Sequence, residues 1–195
     1  RRGSGSASRS VPDGFVEWFA ADRDDGSYAR SIAEPDHWAL VDLIAILNPR
    51  HKEVGSAEGS RRARTSPYQE GRVADAPRRL RVCREAILRR DFAALAGIME
   101  EDARLMVTVM RTSRPSLTYF EPATSELWRA IPRWRAGGLA VACTVDAGPN
   151  VHCLCLPEAA AEVERRLRTN PAVRDVLTAR PGSGATSSGA TGTTP

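Results

Sequence analysis

Leu139-Ala140-Val141-Ala142-Cys143-Thr144-Val145-Asp146-Ala147-Gly148-Pro149-Asn150-Val151-His152-Cys153-Leu154-Cys155-Leu156 reads as two apolar runs around a loop of Asp, Gly, Pro and Asn. Valine and cysteine suit a pleated, half-buried surface, and the loop residues are those that close tight turns. Two neighbouring strands, Leu139 to Val145 and Val151 to Leu156, are therefore expected. Cys153 and Cys155 alternate, so they share one face and act as small buried hydrophobes.

Working outward, Ala39 to Leu47 is almost continuously apolar apart from Asp42 and predicts a central strand buried on both sides. Asp42 then needs a partner, which the sequence does not identify. Asp75 and Pro77 open a helix with apolar positions Leu80, Cys83, Ile87 and Leu88. Asp91 caps the next, where Phe92, Leu95, Ile98, Met99, Leu105, Met106 and Val109 form a stripe; the two helices predict an antiparallel pair. An extended piece at Leu117 to Phe120 precedes a helix from about Ser125 to Arg135, interrupted at Pro132. Pro157 to Arg168 predicts a helix and Val173 to Thr178 a last strand.

Towards the start, Gly3 to Ser10 leads into a short helix ended by Pro12 and Gly14, followed by a strand at Phe15 to Ala20. Asp22 to Pro35 reads as a polar, turn-rich connection. Pro181 to Pro195 holds only Pro, Gly, Ser, Ala and Thr, too little apolar surface to order itself. Helices and strands without strict alternation predict an α+β fold with an antiparallel sheet packed against helices.

The 195 residues are 42% hydrophobic and 27% charged, with 28 basic and 24 acidic side chains and a formal charge of +4. No run approaches the roughly 20 apolar residues of a membrane-spanning helix, and the charge is far from that of a dedicated nucleic-acid binder. Neither a membrane nor a nucleic acid is expected as partner. The four cysteines and three histidines lie at no zinc-site spacing, so no metal ligands are assigned and reduced thiols in the cytoplasm are expected. The chain starts at Arg1 in a Gly/Ser run and reads as the later part of a longer protein.

Three places carry chemistry. Gly3-Ser4-Gly5-Ser6-Ala7-Ser8-Arg9 combines glycines that admit close backbone approach, hydroxyls, and a guanidinium able to clamp a carboxylate or phosphate; it reads equally as a flexible linker. Asp146 ends an apolar strand on a loop stiffened by Gly148 and Pro149, where a carboxylate can act as general base towards an alcohol, or simply close the hairpin as an Asx turn. Lys52 and Ser56 offer a cation and a hydroxyl for phosphate, with Ser56 as helix cap the plainer reading. The clusters Arg61, Arg62, Arg64 and Arg78, Arg79, Arg81 read as solvated helix faces.

Five stretches in order resemble diphosphomevalonate decarboxylases of the galactokinase, homoserine kinase, mevalonate kinase and phosphomevalonate kinase (GHMP) superfamily. They are Gly3 to Ser10 with Gly14-Phe15-Val16-Glu17-Trp18; His37-Trp38; Lys52-Glu53-Val54 with Ser56 and Glu58-Gly59; Thr65-Ser66-Pro67; and Asp146 to Asn150. The resemblance implies a GHMP-type C-terminal lobe over residues 21–180, the end of an N-terminal lobe with a substrate loop over 1–20, and a disordered tail over 181–195. It implies conversion of mevalonate 5-diphosphate, with ATP and Mg2+, to isopentenyl diphosphate, by a homodimer. The glycine/serine-rich ATP loop and an active-site lysine are expected upstream of Arg1.

By the same resemblance Asp146 engages the tertiary 3-hydroxyl during phosphorylation and Arg9 holds the substrate carboxylate. Ser4, Ser6 and Ser56 contact phosphate or carboxylate, and Lys52 is a looser phosphate-side match. The Asp146 and Arg9 pair disfavours a mevalonate 3-kinase. Gly55 and Ala57 stand where the family usually has serine and threonine or arginine, Ser60 replaces a methionine, and Ala103-Arg104 stands for Ser-Asn. These departures leave a phosphomevalonate decarboxylase acting on the monophosphate as an alternative, and a non-catalytic remnant or anion-binding module as one of another class.

Overall fold

The computed structural model describes residues 5–19, 21, 26–47 and 54–186. They divide into two compact units: a smaller one of the residues up to Ala39 with those from Pro181 on, and a larger one from Leu40 to Arg180.

The smaller unit holds a short helix α1 (Gly5–Arg9) and the antiparallel strands β1 (Phe15–Phe19) and β2 (Tyr28–Ala33). β2 corrects the expectation of a loop from Asp22 to Pro35. Its sequence, Tyr-Ala-Arg-Ser-Ile-Ala, lacks a continuous apolar pattern, and the strand is held by its ladder to β1 and by aromatic contacts. The Phe19 and Tyr28 rings stack at 5.1 Å, and the Arg30 guanidinium lies 4.6 Å from the Phe19 ring centre. Gly14 adopts φ +62°, and a Cβ there would come within 2.6 Å of the Glu34 carbonyl carbon and 2.7 Å of the Pro35 nitrogen, so both conformation and space demand glycine. Residues 181–186 of the Gly/Ser/Thr-rich tail bond back to this unit: Gly14 donates to the Gly182 carbonyl and Ala185 to that of Val11, each at 2.9 Å. Residues 187–195 lie outside the described residues.

The larger unit is a four-stranded antiparallel sheet with six helices among its described residues. Its strands are β3 (Val41–Ile46), β4 (Val141–Val145), β5 (Val151–Cys155) and β6 (Asp175–Ala179), in spatial order β4-β5-β3-β6. Antiparallel pairing and packed helices are as the sequence predicts. β3 is interior to the sheet but alternates buried and half-buried residues, which corrects the expectation of burial on both sides. The physical reason is that Val41, Leu43 and Ala45 pack into one core with Leu127, Ile131, Val163 and Leu167 of two helices, whereas Asp42, Ile44 and Ile46 point the other way. Cys143, Cys153 and Cys155 face that core, and burial pushes their thiols up, to about 12 for Cys143 and about 11 for Cys155. Such thiols are inert packing groups.

The helices are α2 (Ser56–Ala63), α3 (Gln69–Ala74), α4 (Ala76–Arg89), α5 (Phe92–Thr112), α6 (Pro122–Ala136) and α7 (Pro157–Thr169). α4 and α5 pack together across a turn in which Arg90 takes φ 56° and the Asp91 carboxylate accepts from the Ala94 amide at 3.0 Å. Leu80 and Leu88, expected on the inward stripe of α4, are exposed; Arg79 and Ala86 are buried instead. Arg79 is no solvated surface group. At 5% exposure it reaches Asp75 at 2.8 Å, Asp102 at 3.0 Å and the Arg72 carbonyl at 2.8 Å. A charge so placed is tolerable only when every donor is met by an acceptor of this kind. α6 begins at Pro122 and runs unbroken through Pro132, with Leu127 and Ile131 anchoring it to the core on the near side of the proline. The expected interruption is absent because a single missing amide is outweighed by that burial.

Among the described residues no helix is long and apolar enough to cross a membrane.

Candidate functional site

The Asp146 loop is positioned by bonds that its own sequence does not reveal. The Thr124 hydroxyl, fully buried at the start of α6, donates to the Pro149 carbonyl at 2.7 Å, and the Asn150 side-chain oxygen accepts the Leu47 amide at 3.0 Å. The loop is thus tied to α6 and to the end of β3. β4 beneath it is held by Glu100 of α5, whose carboxylate accepts the Cys143 amide at 3.3 Å and both terminal nitrogens of Arg135 at 2.6 and 2.8 Å.

Asp146 itself is exposed, and among the described residues its carboxylate makes no hydrogen bond. The Asx-turn reading therefore does not describe it: the turn is closed by Thr124 and Asn150, leaving the carboxylate available. It lines a narrow cleft with Val107, Met110, Tyr119 and Phe120.

Beside this cleft runs a groove of about 290 Å³, close to the lower end of the size range of small-ligand sites. Ser56 and Ser60 on α2, Arg72 on α3, and Tyr119 line it, with Met106 and Met110 of α5 as an apolar wall; Ala147, next to Asp146, also faces it. Met106, Met110 and Tyr119 belong to both hollows. Ser56 is the first residue of α2, and the capping position is Gly55 with no side-chain cap bond, so Ser56 is not the cap expected from the plainer reading. Its hydroxyl is exposed toward the groove. Arg72 spends its Nη2 on Asp102 at 3.1 and 3.2 Å, and its Nε is buried without a partner among the described residues. Burial raises the Tyr119 phenol above its ordinary value.

Arg9 is exposed in the smaller unit, at the end of α1, with its guanidinium 6.0 Å from the Trp18 ring centre. Asp146 and Ser56 share the larger unit; Arg9 does not belong to it. Ser4 and Lys52 lie outside the described residues, as does the side chain of Ser6. Tyr119, Thr124 and Asn150 were missed from the sequence, since an extended segment, a helix start and a turn end give no chemical signal before they are brought together.

Asp42 finds its partner in His152 on the neighbouring strand, 110 positions away in sequence, through Nδ1 at 2.8 Å. That hydrogen bond raises the imidazole above its ordinary value of 6.5, with smaller help from the Asp42 and Asp146 charges. A raised folded-state value means the stabilisation is complete below about 6.5 and is lost as pH rises through the higher value. Thermal stability is accordingly expected to decline across that window, and the Asp42→Asn variant to show a flatter profile there. Superimposable profiles would remove the pair from this role.

Among the described residues no group of three His, Cys, Asp or Glu side chains could hold a metal ion. No step is assigned to a metal on these residues.

The family model described as the mevalonate 5-diphosphate decarboxylase C-terminal domain matches residues 42–181. The human diphosphomevalonate decarboxylase is 34% identical over 169 residues, covering 83% of this chain and 42% of the human protein. A solved structure of mevalonate diphosphate decarboxylase from Enterococcus faecalis, concerned with ATP binding mediated by mevalonate diphosphate, matches at TM-score 0.85 and 29% identity, over 94% of this chain and 56% of that one. A complex of MDDEF with MVAPP, AMPPCP and magnesium matches at TM-score 0.84 and 30% identity, over 94% of this chain and 57% of that one. The chain spans less than half the length of the human relative and somewhat more than half of these solved chains.

Proposed function

Because the chain belongs to the mevalonate 5-diphosphate decarboxylase family, with that family's C-terminal domain at residues 42–181, we propose that it is the substrate-side portion of an enzyme that decarboxylates mevalonate 5-diphosphate to isopentenyl diphosphate. Relatives studied with MVAPP, an ATP analogue and magnesium support ATP as phosphoryl donor and magnesium as its companion. The family resemblance further supports a cytoplasmic homodimer, residues 1–20 as the end of an upstream lobe, and nucleotide binding by that lobe.

The observation that carries this reading is the uncommitted Asp146 carboxylate, on a loop fixed by Thr124 and Asn150 beside a groove lined by hydroxyls. ATP supplies the phosphoryl group that turns the tertiary 3-hydroxyl into a leaving group. Asp146 orients that hydroxyl and takes its proton as the hydroxyl is phosphorylated; once that proton has passed to solvent, the restored carboxylate faces the positive charge growing at C3 as the phosphate departs. Arg9 holds the substrate carboxylate in line for loss as carbon dioxide, bidentately but without favouring the ground state. Ser56, with Ser4, Ser6 and Lys52, contacts the phosphate or carboxylate oxygens. Arg9→Ala is expected to weaken both substrate binding and turnover by tenfold or more, on the order of a lost charged hydrogen bond.

The test is an assay of the full-length protein carrying this chain with ATP, magnesium and either mevalonate 5-diphosphate or the 5-phosphate, following carbon dioxide release. Faster turnover of the diphosphate is expected. Faster turnover of the monophosphate overturns the substrate assignment, and binding without carbon dioxide release overturns the reaction.

A further inference from the structure

Tyr119 stands where the two hollows of the larger unit meet, lining both the Asp146 cleft and the 290 Å³ groove. Its ring belongs to the extended segment between α5 and α6, and its hydroxyl points at the first turn of α2. Among the described residues the acceptor it reaches is the Gly55 carbonyl at 3.5 Å, a distance at which a hydrogen bond contributes little. The phenol therefore keeps its donor capacity. A Cβ at position 59 would lie 3.0 Å from the same hydroxyl, so glycine at this position is what lets the phenol come so close to α2.

Ser56 and Ser60 are four residues apart on α2 and share the groove-facing side of that helix. Among the described lining residues the groove has these hydroxyls, the Tyr119 hydroxyl, a glutamine amide and one arginine, Arg72, whose Nη2 is held by Asp102. With Arg72 and Arg62 already paired to Asp102 and Glu58, the hydroxyl and amide donors are the ones left for a ligand rich in anionic oxygens, and the methionine wall suits a short aliphatic body. A phosphorylated small organic acid has both features. Its phosphate end matches the hydroxyl-lined groove, and its reacting carbon matches the adjoining cleft that contains Asp146.

We propose that Tyr119 is a substrate-binding residue whose hydroxyl, together with those of Ser56 and Ser60, donates to the phosphate oxygens of the diphosphate substrate; this rests on the decarboxylase reading above. Tyr119 thereby sets the spacing between the phosphate groove and the Asp146 cleft. The Tyr119→Phe variant removes the hydroxyl and keeps the ring, so the packing of the segment is preserved.

Two measurements test it. In calorimetric titration of this chain with inorganic pyrophosphate, Tyr119→Phe is expected to raise the dissociation constant about tenfold, the loss of one hydrogen bond to a charged acceptor. Gly59→Ala, which crowds the hydroxyl, is expected to weaken pyrophosphate binding when Tyr119 is present and to have little effect in the Tyr119→Phe background. In the full-length protein, Tyr119→Phe is expected to raise KM for mevalonate 5-diphosphate about tenfold while kcat stays within about twofold. Absence of saturable pyrophosphate binding by the unmodified chain, or equal affinity of the unmodified and Tyr119→Phe chains, overturns the proposal. So does an unchanged KM in an active full-length enzyme. If the full-length protein releases no carbon dioxide yet Tyr119→Phe weakens pyrophosphate binding, the anion contact stands and the decarboxylase reading falls.

Discussion

Asp146→Asn in the full-length protein is expected to lower the turnover of mevalonate 5-diphosphate by about a thousandfold, while substrate affinity changes by no more than a few-fold. The size follows from loss of general-base catalysis, typically 10²–10⁴-fold, together with loss of the charge facing C3. The split between turnover and affinity follows from local structure. The loop is held by Thr124 on the Pro149 carbonyl and by Asn150 on the Leu47 amide, and Asp146 contributes no bond to it among the described residues. Asparagine at this position should therefore leave the loop and its neighbours in place. Single-turnover measurement of carbon dioxide release beside calorimetry of substrate binding checks both halves. Near-normal turnover sinks the assignment of Asp146, and a fall in thermal stability comparable with a core mutation sinks the claim that the loop is held from elsewhere.

The largest loss of stability is expected at Glu100, a residue the sequence presents merely as one polar position on an apolar helix. It is 4% exposed and joins three elements: α5 carries it, Arg135 reaches it from α6, and the Cys143 amide reaches it from β4. Arg135 also donates to the Val141 carbonyl at 2.9 Å, and the hydrogen bonds to Glu100 raise its guanidinium above its usual value. Glu100→Ala leaves that guanidinium and a strand amide without their acceptor in a largely dry setting, which costs about 3–5 kcal/mol. A fall in Tm on the order of 10 °C is expected for a domain of this size. Replacing both partners, Glu100→Leu with Arg135→Met, should be markedly less harmful than Glu100→Leu alone, because no uncompensated charge remains. Chemical denaturation of the three variants decides it: a loss below about 1 kcal/mol for Glu100→Ala removes Glu100 from this role.

These two residues sit at opposite ends of one strand's task. Glu100 secures the middle of β4 at Cys143, and Asp146 leaves its end. A weakened Glu100 is therefore expected to disturb the site through β4, whereas Asp146 can be changed with the scaffold intact.

Local chemistry was enough to place most elements. Apolar runs flanked by turn residues mark β3, β4 and β5, and the Asp91 cap and the stripe from Leu95 to Val109 mark α5, because period and capping act within a few residues. The same chemistry singled out Asp146 and Ser56 by residue type and position. β2 escaped because its stability lies in cross-strand pairing and in the Phe19 and Tyr28 contact, neither of which leaves an apolar rhythm in its own six residues. The inward face of α4 was misjudged because Arg79 enters the interior only when Asp75 and Asp102 stand around it.

What the sequence alone determined is thus the fold class, the order of the antiparallel strands' main segments and the family to which the chain belongs. Tertiary structure decided which side of β3 is buried, which residue pairs with Asp42, and which groups surround Ser56. His152 lies 110 positions from Asp42, and the Thr124 hydroxyl lies 25 positions from the carbonyl it holds. Hydrogen bonds of that span depend on where the sheet and helices bring the chain, a property of packing that no single segment carries.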